Sequence, residues 1–289
     1  MIHQSALSSP KETHLKTTRV HFDTVLVAVD MSPFSANTLK IAAELAQRSG
    51  SRLVVAHVID PTLVLPSEAA ANAKDTLDLW MRPYIKDDTR CTSIVAEGDV
   101  VDEITRLAGQ YRADLLVIGT HAAEGVTKLF FGSKAEALFR NMGIPVLTVG
   151  PHARLSGKRL SSILLPIDLE LHSLRAAQYA VSLAEESAAT LTLLHILEKD
   201  ADAESHQTAA PRMELLVPED AALWCQPVFR TLAGDPAETI LATAKQVDAD
   251  LIVMAVTHSR PLADHASWSI ASKVVRQSEC PVLTVRDRL

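Results

Sequence analysis

The sequence predicts an α/β protein of two tandem domains, each a doubly wound parallel sheet. Three observations predict it. Short apolar runs suited to strands buried on both faces alternate with longer segments of helical periodicity, the pattern of strands joined by crossover helices. The same blocks then occur twice in the same order. VLVAVDMSPFSANTL at 25–39 recurs as ILLPIDLELHSLRAA at 163–177, and LVVAHVID at 53–60 as LTLLHILE at 191–198, both at an offset of 138. EGDVVDEI at 97–104 recurs as AGDPAETI at 233–240, ADLLVIG at 113–119 as ADLIVMA at 249–255, and PVLTV at 145–149 again at 281–285, all at 136. Such a period is too long for a solenoid repeat and marks whole domains. Finally, 289 residues suffice for two domains with sizeable cores. The domains are expected over 21–151 and 158–289, with a short link containing Pro151 and Gly157. Residues 1–20 have no signal-peptide apolar core and read as a disordered arm with solvated Lys11, Lys16 and Arg19.

In the first half, Val25–Val29 is the first strand. Ser32 caps a helix from Pro33 to Ser49, which Gly50 closes. Leu39, Ala42, Ala43 and Ala46 give that helix one small apolar face. Leu53–Ile59 is the second strand. Ser67–Asp88 reads as helix, with Leu77, Trp80, Met81 and Tyr84 on one side. Thr92–Ala96 is the third strand, and Val101–Gln110 a helix that turns Val101, Ile104, Leu107 and Ala108 inward. Ala113–Ile118 is the fourth strand, ended by Gly119. A loop with Gly125 leads to Gly132-Ser133, Ser133 caps a helix over Lys134–Met142, and Val146–Val149 is the fifth strand. The second half repeats the order. There Pro211 and Pro218 interrupt any single long helix in 199–222, and the acidic Asp200, Asp202 and Glu204 read as a solvated loop.

A net charge of −7 argues against a general nucleic-acid surface. No run of 18 apolar residues occurs, so no membrane span is expected. Cys91, Cys225 and Cys280 form no C-x-x-C pair and read as thiols of a reducing compartment, the cytoplasm. HExxH, G-x-S-x-G, GxGxxG and GK(S/T) motifs are all absent. His57 and His195 recur at one repeat position near strand ends, which favours a structural hydrogen bond over metal ligation. His121 reads as an exposed loop residue, and His258 and His265 have no metal-site spacing.

The chemistry concentrates where the first and fourth strands end. Asp30 follows the first strand, and as Asp-Met-Ser-Pro it could simply start a turn or cap a helix. Gly119, Ala122, Gly132 and Ser133 form G-x2-A-x9-G-S, ending at a helix start whose free N–H groups suit a phosphate. This spacing resembles the G-x2-G-x9-G-(S/T) nucleotide motif of universal stress proteins of the ATP-binding branch. The strand ending in Asp, HVID, the GD turns, ADLLVIG and IPVLTV extend the resemblance over both halves. It implies five-stranded sheets of order 3-2-1-4-5, which places the first and fourth strands at the topological switch point where open α/β sheets bind ligands. It further implies that Asp30 accepts from the adenine amino group and that the Val58 backbone touches the base. Gly119, Gly132 and Ser133 would hold ribose and phosphates, and Ala28 and Ile118 would complete the nucleotide contacts. Ala122 departs from the motif and would clash if that position needs a positive φ.

In the second half the aligned positions are Ala255, His258, Trp268 and Ser269, so the phosphate-side glycines are gone while Pro166, Asp168 and Ile196 keep the adenine side. The resemblance therefore implies one site, in the first domain, for ATP or a related adenine nucleotide with Mg²⁺ held by phosphates and water. It implies a stress-linked binding protein, not a dedicated enzyme. A nucleotide-free interaction module and a slow ATPase are the alternatives. The fifth strands are expected to pair the two domains antiparallel, and a homodimer is a further expectation.

Overall fold

A computed structural model describes residues 20–61, 72–120, 134, 136–138, 142–150, 153, 159–198, 202–256 and 265–286. The first half contains β1 (Thr24–Ala28), α1 (Pro33–Ser49), β2 (Arg52–Ile59), α2 (Ala73–Met81), β3 (Cys91–Glu97), α3 (Val100–Tyr111), β4 (Leu115–Gly119) and β5 (Val146–Val149). The second contains β6 (Ser162–Pro166), α4 (Leu174–Ser187), β7 (Thr190–Leu197), α5 (Ala203–Glu214), β8 (Gln226–Ala233), α6 (Pro236–Gln246), β9 (Leu251–Val256), α7 (His265–Gln277) and β10 (Val282–Arg286).

Among the described residues the ten strands form one sheet of order β3-β2-β1-β4-β5-β10-β9-β6-β7-β8. Each half thus has the order 3-2-1-4-5, parallel throughout. The fifth strands meet antiparallel, with Leu283 opposite Leu147 and Val282 opposite Thr148. The strands alternate their apolar side chains between two cores, one on each sheet face, as the pleat requires. Val25, Val27, Leu147, Leu165 and Leu283 serve one core, Leu26, Leu116, Leu164, Ile252 and Val282 the other, and both cores run through the two halves.

Local chemistry explains the element ends. Ser32 caps α1 by accepting the Ser35 N–H at 3.2 Å. Asp99 and Asp235 cap α3 and α6 through the N–H groups of Val101 and Glu238, at 2.8 and 2.9 Å. The glycine before each cap is needed. Gly98 and Gly234 have φ of 147° and 153°, and a Cβ on Gly234 would come within 2.9 Å of the Thr239 hydroxyl.

Four expectations are corrected. The helix expected over 67–88 is α2, ending at Met81, followed by a 3₁₀ turn at Arg82–Tyr84; Pro83 lacks an N–H and its ring crowds the preceding turn. Residues 67–71 lie outside the described residues. Pro211 does not interrupt its helix but sits inside α5. Ala209 and Met213, fully buried on the inner face, hold the helix past the lost hydrogen bond. Glu204 is accordingly helical, Asp202 is exposed, and Asp200 lies outside the described residues. Val20 is not part of a loose arm. The Ser182 hydroxyl on α4 accepts its N–H at 2.7 Å and donates to its carbonyl at 3.3 Å. The rest of the arm, 1–19, lies outside the described residues, as do 1 to 19's charged side chains.

The repeat supplies a stability test. α1 ends on Gly50 and α4 on Ala188, the same repeat position, both left-handed at φ 64° and 52°. Alanine pays for that conformation through its Cβ. Because Ala188 is exposed, Ala188→Gly is expected to stabilise by about 1 kcal/mol and Gly50→Ala to destabilise by about as much. Urea midpoints at unchanged slope measure both, and shifts of the same sign would refute the account.

Candidate functional site

β1 and β4 lie side by side, paired from Val25↔Leu115 to Ala28↔Ile118. β1 continues to β2 on its other side and β4 to β5, so the crossovers leave this point in opposite directions. That is the switch point of the first half. Its carboxyl edge carries Ala28, Asp30, Val58, Ile118 and Gly119 from three adjacent strands. Ile118 is buried, and Ala28, Val58 and Gly119 are half-buried.

The turn after β1 is built around Asp30. Its Oδ1 accepts the Ser32 N–H at 2.9 Å and the hydroxyl of buried Ser35. Ser35 Oγ in turn accepts the Asp30 N–H at 3.1 Å. Met31, between them, is left-handed at φ 59°, a conformation that costs a bulky residue about 1–2 kcal/mol. The second half repeats the turn: Asp168 Oδ1 accepts from Glu170 N and Ser173 Oγ at 3.0 and 2.5 Å, and Leu169 has φ 64°. Asp30 therefore starts the turn and also presents a carboxylate at the sheet edge; the two readings of this residue are compatible.

His57 Nδ1 lies 2.9 Å from the Val29 carbonyl and His195 Nδ1 2.8 Å from that of Ile167. A carbonyl only accepts, so Nδ1 carries the proton in both rings. These histidines brace the strand end beside the turn. Among the described residues no cluster of His, Cys, Asp and Glu could hold a metal ion.

Ala122, Gly132 and Ser133 lie outside the described residues, as do His121 and His258. The adjacent Lys134, which the sequence reading did not single out, is helical. Its ammonium pairs with Asp99, the α3 cap, and lies 3.8 Å from Asp60 Oδ2, just past β2. Lys134 holds the Asp99 carboxyl below the usual range, helped by the Asp102 and Val101 N–H groups, and Asp99 raises the lysine. Its position directly after the Gly-Ser pair was the available signal; Asp60 and Asp99 reach it only through the fold.

In the second half, α7 begins at His265, so Trp268 and Ser269 are already helical. Ser269 is the fifth residue, and only the first four N–H groups of a helix lack partners within it. The sequence reading aligned Ser269 with a helix cap; it is not one. Beside this helix a cleft of about 170 Å³ lies over Pro166, Asp168, Ile196 and Ala255. The three cysteines are structural in character: burial pushes each thiol up to about 11.

A model of the universal stress protein family matches residues 21–150 and again 160–286. Universal stress protein A homolog 1 of Coxiella burnetii is 29% identical over 141 residues, covering 45% of this chain and 97% of that protein. A Thermus aquaticus universal stress protein encoded in the QAH/OAS sulfhydrylase 3′ region is 34% identical over 135 residues, covering 44% of this chain and 98% of that protein. Among solved structures, a universal stress protein from Archaeoglobus fulgidus superposes with a TM-score of 0.71 at 19% identity, covering 91% of this chain and 96% of that one. No helix among the described residues is long and apolar enough to cross a membrane.

Proposed function

Because the chain belongs to the universal stress protein family, we propose that its first half binds an adenine nucleotide, ATP or a close relative, and that the protein serves a stress response in the cytoplasm as a nucleotide-responsive binder. The observation that carries this reading is the juxtaposition of Asp30 and Gly119 at the carboxyl edge of two neighbouring strands, β1 and β4, at the switch point. The described residues fit the adenine end. A carboxylate stands at the edge to accept an exocyclic amine, and half-buried Ala28 and Val58 with buried Ile118 offer an apolar seat for a ring. The phosphate end rests on the Gly119, Ala122, Gly132 and Ser133 spacing, with the helix start as anion site. Mg²⁺ would be held by the phosphates and water. The proposed domains are 21–151 and 158–289, paired through β5 and β10, and the whole chain can associate further as a homodimer.

Mass spectrometry of gently purified protein tests the ligand: a co-purifying adenine nucleotide supports the reading, and a chain that neither carries nor takes one up refutes it. Asp30→Ala is expected to weaken binding by about 1–3 kcal/mol, the value of a hydrogen bond to a charged group. The same change strips Ser35 of its acceptor, so Asp30→Asn is the cleaner probe. It keeps an oxygen for Ser32 and Ser35 and replaces the other acceptor with a donor that an amine cannot use. Calorimetry giving both folded variants the parent affinity would remove Asp30 from the site.

A further inference from the structure

The ladder between the two central strands differs in length between the halves. β1 and β4 stay paired to the end of β1, at Ala28↔Ile118. β6 and β9 pair only at Ile163↔Leu251 and Leu164↔Ile252. The residue 138 positions after Ala28 is Pro166. Ile167 sends its N–H to Leu194 on β7, and successive residues of a strand face opposite neighbours, so position 166 faces β9. Proline has no N–H to send there. The ladder between the two strands ends here, and the 170 Å³ cleft is lined at this point by Pro166 and, from β9, Met254 and Ala255.

The cleft is apolar at its buried end and polar at its mouth. Leu194, Ile240 and Met254 are at most 5% exposed, whereas the side chains of Asp168 and His172 are 51% and 32% exposed. His172 Nε2 lies 2.7 Å from Asp168 Oδ2. The carboxylate only accepts, so Nε2 is the donor, and in the neutral form of the ring Nδ1 is left as an acceptor. The first half has Phe34 at this position, so the pair belongs to the second half alone.

We infer that this cleft binds a small uncharged molecule of one aromatic ring bearing a hydroxyl or N–H, the ring against Leu194, Ile240 and Met254 and the donor on His172. An apolar cavity of about 150 Å³ holds benzene, so this one admits a ring with a substituent. The described lining contains no lysine or arginine, and Asp168 repels a carboxylate or phosphate at the mouth. An ammonium would give up hydration for a carboxylate that already accepts from Glu170, Ser173 and His172. This site is independent of the nucleotide reading for the first half.

Phenol titrated into the full chain carrying ¹³C-methyl methionine tests it. The Met254 methyl signal should move, and that of Met81, in the first half, should not. Benzoate should move neither. His172→Phe, which installs the first half's residue, should weaken phenol about three- to tenfold, one hydrogen bond's worth, and leave toluene unchanged. Ile240→Trp should fill the cleft and abolish the phenol response, with Ala255→Phe as a second filling variant if the first does not fold. A Met254 signal indifferent to phenol, a benzoate response equal to phenol's, or phenol affinity untouched by His172→Phe overturns the inference.

Discussion

Leu283→Ala is expected to destabilise the chain by about 2–5 kcal/mol, the cost of truncating a buried leucine that cannot be refilled. Leu283 is 2% exposed on β10, opposite Leu147 of β5, which is 6% exposed. Both belong to one core that also holds Val25 and Leu115 from the first half and Leu165 and Leu251 from the second. The loss is a large part of a domain's usual stability of about 5–15 kcal/mol. If the halves fold as one body through this seam, the two leucines are coupled. A cycle of Leu283→Ala, Leu147→Ala and the double variant should then show an interaction of about 0.5–3 kcal/mol. Urea unfolding of the parent should be a single transition that splits into two when the seam is weakened. Additive losses with an unchanged unfolding slope would mean that the halves are stable independently and that the seam contributes little. Phe22 and Tyr179, whose rings lie 6.0 Å apart across the same junction, offer a second pair for the cycle.

Much of this architecture is written locally. The offsets of 138 and 136 place corresponding strands in both halves, and the apolar runs at 25–29, 53–59, 113–118 and 146–149 match β1, β2, β4 and β5 to within two residues. Buried parallel strands make this legible, because both faces demand apolar residues and no polar alternation interrupts the run. Caps were legible for a similar reason, since Ser32 and Gly50 each satisfy a backbone need that few residue types meet. What was not legible depends on distant groups. α5 continues past Pro211 because Ala209 and Met213 are buried against the sheet, a term no local propensity contains. Lys134 meets Asp60 and Asp99 only after β2, α3 and the following helix have assembled. Pro166 reads as one more apolar residue in a strand, yet its missing N–H falls on the β9 side, and only the register reveals that consequence.

The chain is expected to bind one nucleotide, and Gly132→Trp is expected to abolish that event. Phosphate recognition at a helix start needs backbone N–H groups that are unpaired and open to approach. In the sequence Gly132-Ser133 directly precedes helical Lys134, and glycine has no side chain that could cover such groups. The second half fails both conditions. Ser269 is the fifth residue of α7, inside the hydrogen-bonded ladder, and the residue before it is a tryptophan. Gly119 is likewise matched by Ala255, and the hydrogen-bonded ladder between the strands that should flank a base ends before Pro166. Titration with a nonhydrolysable ATP analogue should give a stoichiometry near one. Gly132→Trp should weaken it at least about a hundredfold, roughly 2.7 kcal/mol, in a protein whose circular dichroism is unchanged. Trp268→Gly should not create a second site, because removing the indole leaves Ser269 within its helix. A stoichiometry of two, or full affinity in folded Gly132→Trp, would sink the asymmetry; a second site gained in Trp268→Gly would show that the indole alone closes the second half.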